Sequence, residues 1–184
     1  MKAKPSKKPG EVFLELGRDD EPLMTAASSA ASPFCMKRIL VPIDFSDCAK
    51  KALQYAIPLA KEHKAALTLL YVVPPPYPVG EYSGIDYAQL QADMRMRGNM
   101  ELSKLVTDEV RGAVPADTLV RVGSPATEIT EAAESLDADA IVISTHGRTG
   151  LKHVLIGSVA ENVVRRAPCP VLVVREREHE FLAR

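Results

Sequence analysis

The chain has no surplus of charge of either sign: 23 lysines and arginines stand against 24 acidic residues, for a formal net charge of −1. That balance excludes a global basic field able to recruit nucleic acid or an anionic membrane surface. Cysteine is scarce. Cys35, Cys48 and Cys169 are odd in number, widely spaced and without a CxxC pair. They argue against a disulfide framework and a structural zinc site, and they fit a reducing cytoplasm. No apolar run approaches the roughly 20 residues that span a bilayer. The first residues carry lysines but no continuous apolar core before a cleavage site, unlike a secretory signal. No internal repeat is found. A soluble, cytoplasmic protein is expected, and 184 residues, 46% of them hydrophobic, provide a core for one domain plus an extension.

Residues 1–35 differ from the rest. They start basic (Lys2, Lys4, Lys7, Lys8), pass through Glu-Val-Phe-Leu-Glu-Leu-Gly at 11–17 and end in small residues at 25–32. The small-residue tract has the composition of a tether. The reading this composition favours is a disordered arm; Val12, Leu14 and Leu16 lie two apart, so the alternative is a short strand that docks on this subunit or a partner. The expected division is an extension at 1–35, flexible or partly docked, a domain at 36–175 and a tail at 176–184.

From Met36 strand and helix patterns alternate. Lys37 to Ile43 reads as a buried parallel strand. Ser46 is placed to cap a helix whose stripe is Ala49, Ala52, Leu53, Ala56, Ile57 and Ala60, with a kink expected at Pro58. Ala66 to Val73 is a second strand, followed by a loop of Pro, Gly and Tyr to about Gly84. A long helix is expected over 86–112, with Leu90, Met94, Leu102, Leu105 and Val106 inward and Gly98 a weak point. Thr118 to Val122 is a third strand. Ser124 and Pro125 then open a helix with the stripe Ile129, Ala132, Ala133 and Leu136. Ala138 to Thr145 and Val171 to Val174 complete five strands. Such alternation predicts an open, twisted, mainly parallel α/β sheet covered on both faces. Its ligand site is expected beyond the strand ends where strand order reverses, after strands one and four.

After strand four runs Ser-Thr-His-Gly-Arg-Thr-Gly-Leu-Lys-His-Val-Leu-Ile-Gly-Ser, residues 144–158. Ser158 and Glu161 have capping-box spacing, so a helix is expected to begin there. The first-turn amides of a helix lack internal partners and carry partial positive charge, a seat for an anion such as phosphate. Gly147, Gly150 and Gly157 allow close backbone approach, and His146, Arg148, Lys152 and His153 add donors. A plain β-to-α connection would show some of the same features.

At these residues the chain resembles the universal stress protein family. Ser144-x2-Gly147-x9-Gly157-Ser158 matches that family's ATP motif, Gly-x2-Gly-x9-Gly-Ser/Thr, except at its first position. The runs Thr-His-Gly-Arg-Thr-Gly-Leu, Gly-Ser-Val-Ala-Glu, Ala-Pro-Cys-Pro-Val-Leu-Val-Val and Ile-Leu-Val-Pro-Ile-Asp-Phe-Ser, with Gly123-x-Pro125, also match. The resemblance implies a Rossmann-like sheet of order 3-2-1-4-5, usually dimeric, with ATP across strands one and four. It places Pro42, Ile43 and Asp44 near the adenosine and Val72 in the adenine pocket. It places Gly147, Gly157, Ser158 and Val159 around the phosphates; Ser144 at the motif's first position and the loop donors His146 and Arg148 complete the expected nucleotide site. Asp44 can accept from a ribose hydroxyl or an adenine amino group; its alternative is a turn residue.

The expected function is ATP binding in stress regulation, with Mg2+ carried on the ATP phosphates because no carboxylate cluster adjoins the loop. One alternative is a slow ATPase or phosphotransferase using His146 or His153, against which stands the absence of a Walker lysine motif. Another is a dimeric scaffold that does not bind nucleotide, with Ser144 narrowing the pocket. The final strand, short and apolar at a sheet edge, is expected to pair with a second copy. No membrane and no nucleic-acid partner is expected, because the basic residues at 147–152 lack neighbouring aromatics for base stacking.

Overall fold

The structure, a computed structural model, describes residues 35–75, 86–147 and 156–175 with their side chains, and the backbone of residues 2–5 and 12–15. The small-residue tract at 25–32, the loop from 76 to 84 and the tail at 176–184 lie outside the described residues. The chain divides into two compact units, Met1–Cys35 and Met36–Arg184. In the first, Lys2–Pro5 and Val12–Glu15 pair as antiparallel strands, Lys2 opposite Glu15 and Pro5 opposite Val12. Val12 and Leu14 thus fall in a strand, where the sequence favours a disordered arm.

The strands of the second unit are β1 (Arg38–Pro42), β2 (Ala66–Val73), β3 (Ala116–Val122), β4 (Ala140–Ser144) and β5 (Val171–Val174). The helices between them are α1 (Asp47–His63), α2 (Tyr87–Leu105), α3 (Pro125–Ser135) and α4 (Ser158–Arg166). All neighbouring pairs are parallel and the order is β3-β2-β1-β4-β5, a Rossmann-like α/β fold. Ile39 of β1 lies opposite Leu67 of β2 on one side and Ala140 of β4 on the other, making β1 the centre.

Alternation along β1 feeds two cores. Ile39 and Val41 join a cluster with Leu53, Ala56 and Leu102 from α1 and α2. Leu40 joins Ile129, Ala132, Ala160 and Val163 from α3 and α4 on the opposite face. A strand buried on both faces cannot alternate apolar with polar, hence the unbroken Ile-Leu-Val. The α1 helix runs through Pro58 and ends at Lys64, whose left-handed backbone lets its amide reach the Ala60 and Lys61 carbonyls.

Helix α2 departs from the expected inner face. Leu102 and Leu105 are buried, but Leu90 is 40% exposed and Met94 only half-buried. Burial begins at Gly98, where a β-carbon would lie 2.6 Å from Tyr71 Cδ1. Gly98 is therefore the point where the helix backs onto the sheet, more than a weak point in it, and the first turns carry no buried residue. The helix continues into a wider π turn at Val106–Val110.

At the N-terminal end of β1, Asp139 joins the central strand to the approach to β4. Its Oδ2 accepts from the Lys37 and Arg38 amides at 2.7 and 2.9 Å, and its own amide donates to the Arg38 carbonyl at 2.8 Å. These two amides hold the Asp139 carboxyl below the usual carboxylate range. A carboxyl with a depressed folded-state pKa stabilises the fold above its unfolded value, about 3.9, and that contribution is lost as pH falls through the folded value. Asp139→Asn should therefore lower the Tm at pH 7, with the gap to wild type closing as thermal melts are repeated towards about pH 3. A gap that stays constant with pH would contradict this role for the charge.

Candidate functional site

Chain connections leave β1 and β4 in opposite directions, and a cleft of about 260 Å³ opens beyond their ends. Strand β1 delivers Pro42, Ile43 and Asp44 to it, and β2 delivers Leu70 and Val72. Pairing runs one residue past β1, with the Ile43 amide donating to the Leu70 carbonyl at 2.8 Å. From β4 come Ile143 and Ser144, continued by Thr145 and Gly147; α3 adds Pro125 and Ile129, and α4 begins at the rim with Ser158 and Val159. One wall is thus apolar, while the opposite side is built from backbone and small polar groups.

Asp44 is fixed from both sides. Its Oδ1 accepts from the Ser46 hydroxyl at 2.6 Å and the Ser46 amide at 3.1 Å, while Ser46 Oγ caps α1 by accepting from the Ala49 amide. Turn residue and cleft residue were alternatives for Asp44 in the sequence; the carboxylate is both. Its Oδ2 lies against Gly147, where a β-carbon would stand 2.5 Å away. Any side chain at 147 would push the Asp44 carboxylate out of this position.

Ser144 is buried and lines the cleft. Its hydroxyl donates to the His146 carbonyl at 3.0 Å, so the residue that replaces the motif's glycine is tied into the loop. Next to it the Thr145 amide donates to the Val174 carbonyl at 2.8 Å, and the Thr145 carbonyl accepts from the Gly157 amide at 2.7 Å. This last bond draws the start of α4 onto the end of β4.

The start of α4 differs from expectation by one residue. Gly157, with extended backbone, is the N-cap, and no side chain caps the helix. Ser158 is the first helical residue, so the capping box with Glu161 does not form; Glu161 instead pairs with Arg165 at 2.9 Å. The Gly157 amide is taken by Thr145, so Gly157 supplies close packing rather than a donor. The first intrahelical bond is Glu161 to the Gly157 carbonyl. The amides of Ser158, Val159 and Ala160 precede it, and helix geometry directs them out of the helix start. Ser124 occupies the N-cap of α3 with Pro125 following, as the sequence predicts, but its hydroxyl makes no cap bond.

Of the residues singled out from sequence, Pro42, Ile43, Asp44, Val72, Ser144, Gly147, Gly157, Ser158 and Val159 line one cleft. His146 does not; its Nδ1 lies 3.0 Å from Thr145 Oγ1. Arg148, Gly150, Lys152 and His153 lie outside the described residues. Sequence reasoning missed Leu70, Pro125, Ile129, Ile143, Thr145 and Ala160 as lining residues. Leu70 had a signal in its place two before Val72 on one strand face; Ile129 was recognised only as core.

The sequence profile of the Universal stress protein family matches residues 36–175. The chain belongs to that family. A universal stress protein of Methanocaldococcus jannaschii is 38% identical over 144 residues, covering 78% of this chain and 85% of the relative. Another, YxiE of Bacillus subtilis, is 33% identical over 145 residues, covering 75% and 98%. Among solved structures, universal stress protein UspA from Lactobacillus plantarum superposes with a TM-score of 0.65 at 29% identity, covering 77% and 99%. A universal stress protein in complex with cAMP does so with a TM-score of 0.52 at 25% identity, covering 77% and 98%.

In this universal stress protein Ser144 does structural work that a glycine could not. Ser144→Gly removes a buried hydrogen bond and frees the backbone at a strand end, and should cost about 1–2 kcal/mol. Urea denaturation would measure it; an unchanged midpoint and slope would show that the hydroxyl bond contributes nothing.

Proposed function

We propose that the cleft binds an adenine nucleotide, ATP with its magnesium, and that this universal stress protein acts as a nucleotide-responsive regulator. The observation that carries the reading is the meeting of two unlike surfaces in one cleft. The outward amides of α4 and the Ser158 hydroxyl offer a seat for phosphate oxygens. Ile43, Leu70, Val72 and Ile129 offer an apolar slot for a base. Asp44 stands where the β1 and β4 ends meet, an acceptor for ribose hydroxyls or an amino group. The relative in complex with cAMP supports the adenine nucleotide class.

Among the described residues no group of three or more His, Cys, Asp or Glu is placed to hold a metal. Magnesium in this reading arrives on the phosphate oxygens, and the chain's part is to seat those phosphates. Binding is favoured over hydrolysis because the His146 ring is turned to Thr145 and is not among the cleft-lining residues. A cytoplasmic setting fits three cysteines that form no disulfide. Among the described residues, no helix is long and apolar enough to cross a membrane.

Isothermal titration with Mg-ATP should give saturable heat, and Asp44→Ala should weaken it by about 10-fold or more, the scale of losing a hydrogen bond to a charged group. No heat at millimolar nucleotide, from protein shown to be folded, would reject the reading.

We further propose a homodimer through β5. Among the described residues this strand pairs only with β4, and Leu172 on it is 44% exposed, the features of an edge that templates pairing. Light scattering should return a mass near twice 20.0 kDa, and a monomer mass at tens of micromolar would contradict it.

A further inference from the structure

Phe45, next to Asp44, has φ +65°. The left-handed region is disfavoured for a bulky side chain. The other non-glycine residues with positive φ among those described, Lys64, Arg111 and Asp137, follow helix ends, where this conformation is ordinary. Phe45 precedes a helix, so that explanation does not apply to it. Backbone strain of this kind persists only where surroundings impose it, and it collects at functional sites.

The imposing contact is visible. The Phe45 ring packs on Tyr71 with centroids 4.8 Å apart and planes tilted by 51°, and both residues lie against the core cluster of the α1 and α2 face. Tyr71 is itself backed by Gly98 of α2, where no β-carbon would fit. Its strand neighbours Leu70 and Val72 line the cleft, so Tyr71 points to the opposite face by strand alternation. Reversal of the chain at Phe45 lets the Asp44 carboxylate fold back over both donors of Ser46, leaving Oδ2 towards Gly147.

We propose that Phe45 is a positioning residue: its ring, held on Tyr71, forces the left-handed turn that fixes the Asp44 carboxylate in the cleft. The consequence for ligand affinity rests on the nucleotide reading; the consequence for the turn does not.

Two variants separate this role from simple packing. Glycine accepts the left-handed conformation without the ring, whereas alanine neither accepts it readily nor forces it. Positioning therefore ranks the proteins Phe, then Gly, then Ala. If the surrounding backbone imposed the turn without the ring, glycine would match or exceed phenylalanine, because it takes this conformation without strain. The first readout is hydrogen exchange of the Ser46 amide in the nucleotide-free protein, normalised to the Leu40 amide in β1. Phe45→Ala should accelerate normalised Ser46 exchange at least 10-fold and Phe45→Gly distinctly less. Ser46 exchange that merely tracks Leu40, a Phe45→Gly protein as protected at Ser46 as wild type, or a larger effect for glycine overturns the proposal.

The second readout is Mg-ATP affinity. Phe45→Ala should weaken it by a factor close to that of Asp44→Ala, with the double variant no weaker than the single ones, since both act through one carboxylate. Full additivity overturns the proposal. Wild-type protein that binds no nucleotide would reject the functional reading, and the exchange measurement would still decide the role of Phe45.

Discussion

One backbone hydrogen bond organises the cleft: the Gly157 amide to the Thr145 carbonyl, at 2.7 Å. It ties the first turn of α4 to the end of the central sheet, although an undescribed stretch at 148–155 separates the two in sequence. A β-carbon at Gly157 would lie 3.0 Å from the same carbonyl, so any larger residue would push this tight approach apart by a few tenths of an ångström. Because this bond uses the Gly157 amide, the outward donors are those of Ser158, Val159 and Ala160. Their distance from Asp44 is set by a parallel sheet whose register is fixed by burial on both faces.

The second constraint is mutual. Asp44 and Gly147 come from the ends of different strands and lie close enough that a side chain at 147 would displace the Asp44 carboxylate. Ser144 closes the arrangement by holding the His146 carbonyl. Loops are ordinarily the mobile parts of a fold, yet here each described segment beyond β1 and β4 has a specific tether. That suits the proposed nucleotide site, for ordering on binding would reduce affinity.

Much of this was legible in the sequence. Five strands, their order and the switch point followed from apolar runs, helical stripes and the resemblance, and Ser46 and Pro125 marked two helix starts correctly. What escaped was contact between elements distant in sequence. Leu90 continues a helical apolar stripe but lies in turns where α2 buries nothing, and no periodicity reports how much of a helix a sheet covers. Gly98 read as a weakness because propensity knows nothing of Tyr71. Ser158 and Glu161 had capping-box spacing, but Gly157 takes the N-cap position and its amide bonds Thr145, a contact from across the sheet end that no local spacing reports. The left-handed Phe45 had no sequence signal at all, since residue preference opposes it.

In the proposed function, phosphates sit at the first turn of α4. Amide chemical shifts during a Mg-ATP titration test this directly. Ser158 and Val159 should move together with Gly147 and saturate along one binding curve, while Leu172 at the sheet edge stays still. If Val72 and Ile43 responded and the α4 amides did not, a ligand would be entering the apolar slot without the seat, and α4 would not be a phosphate site.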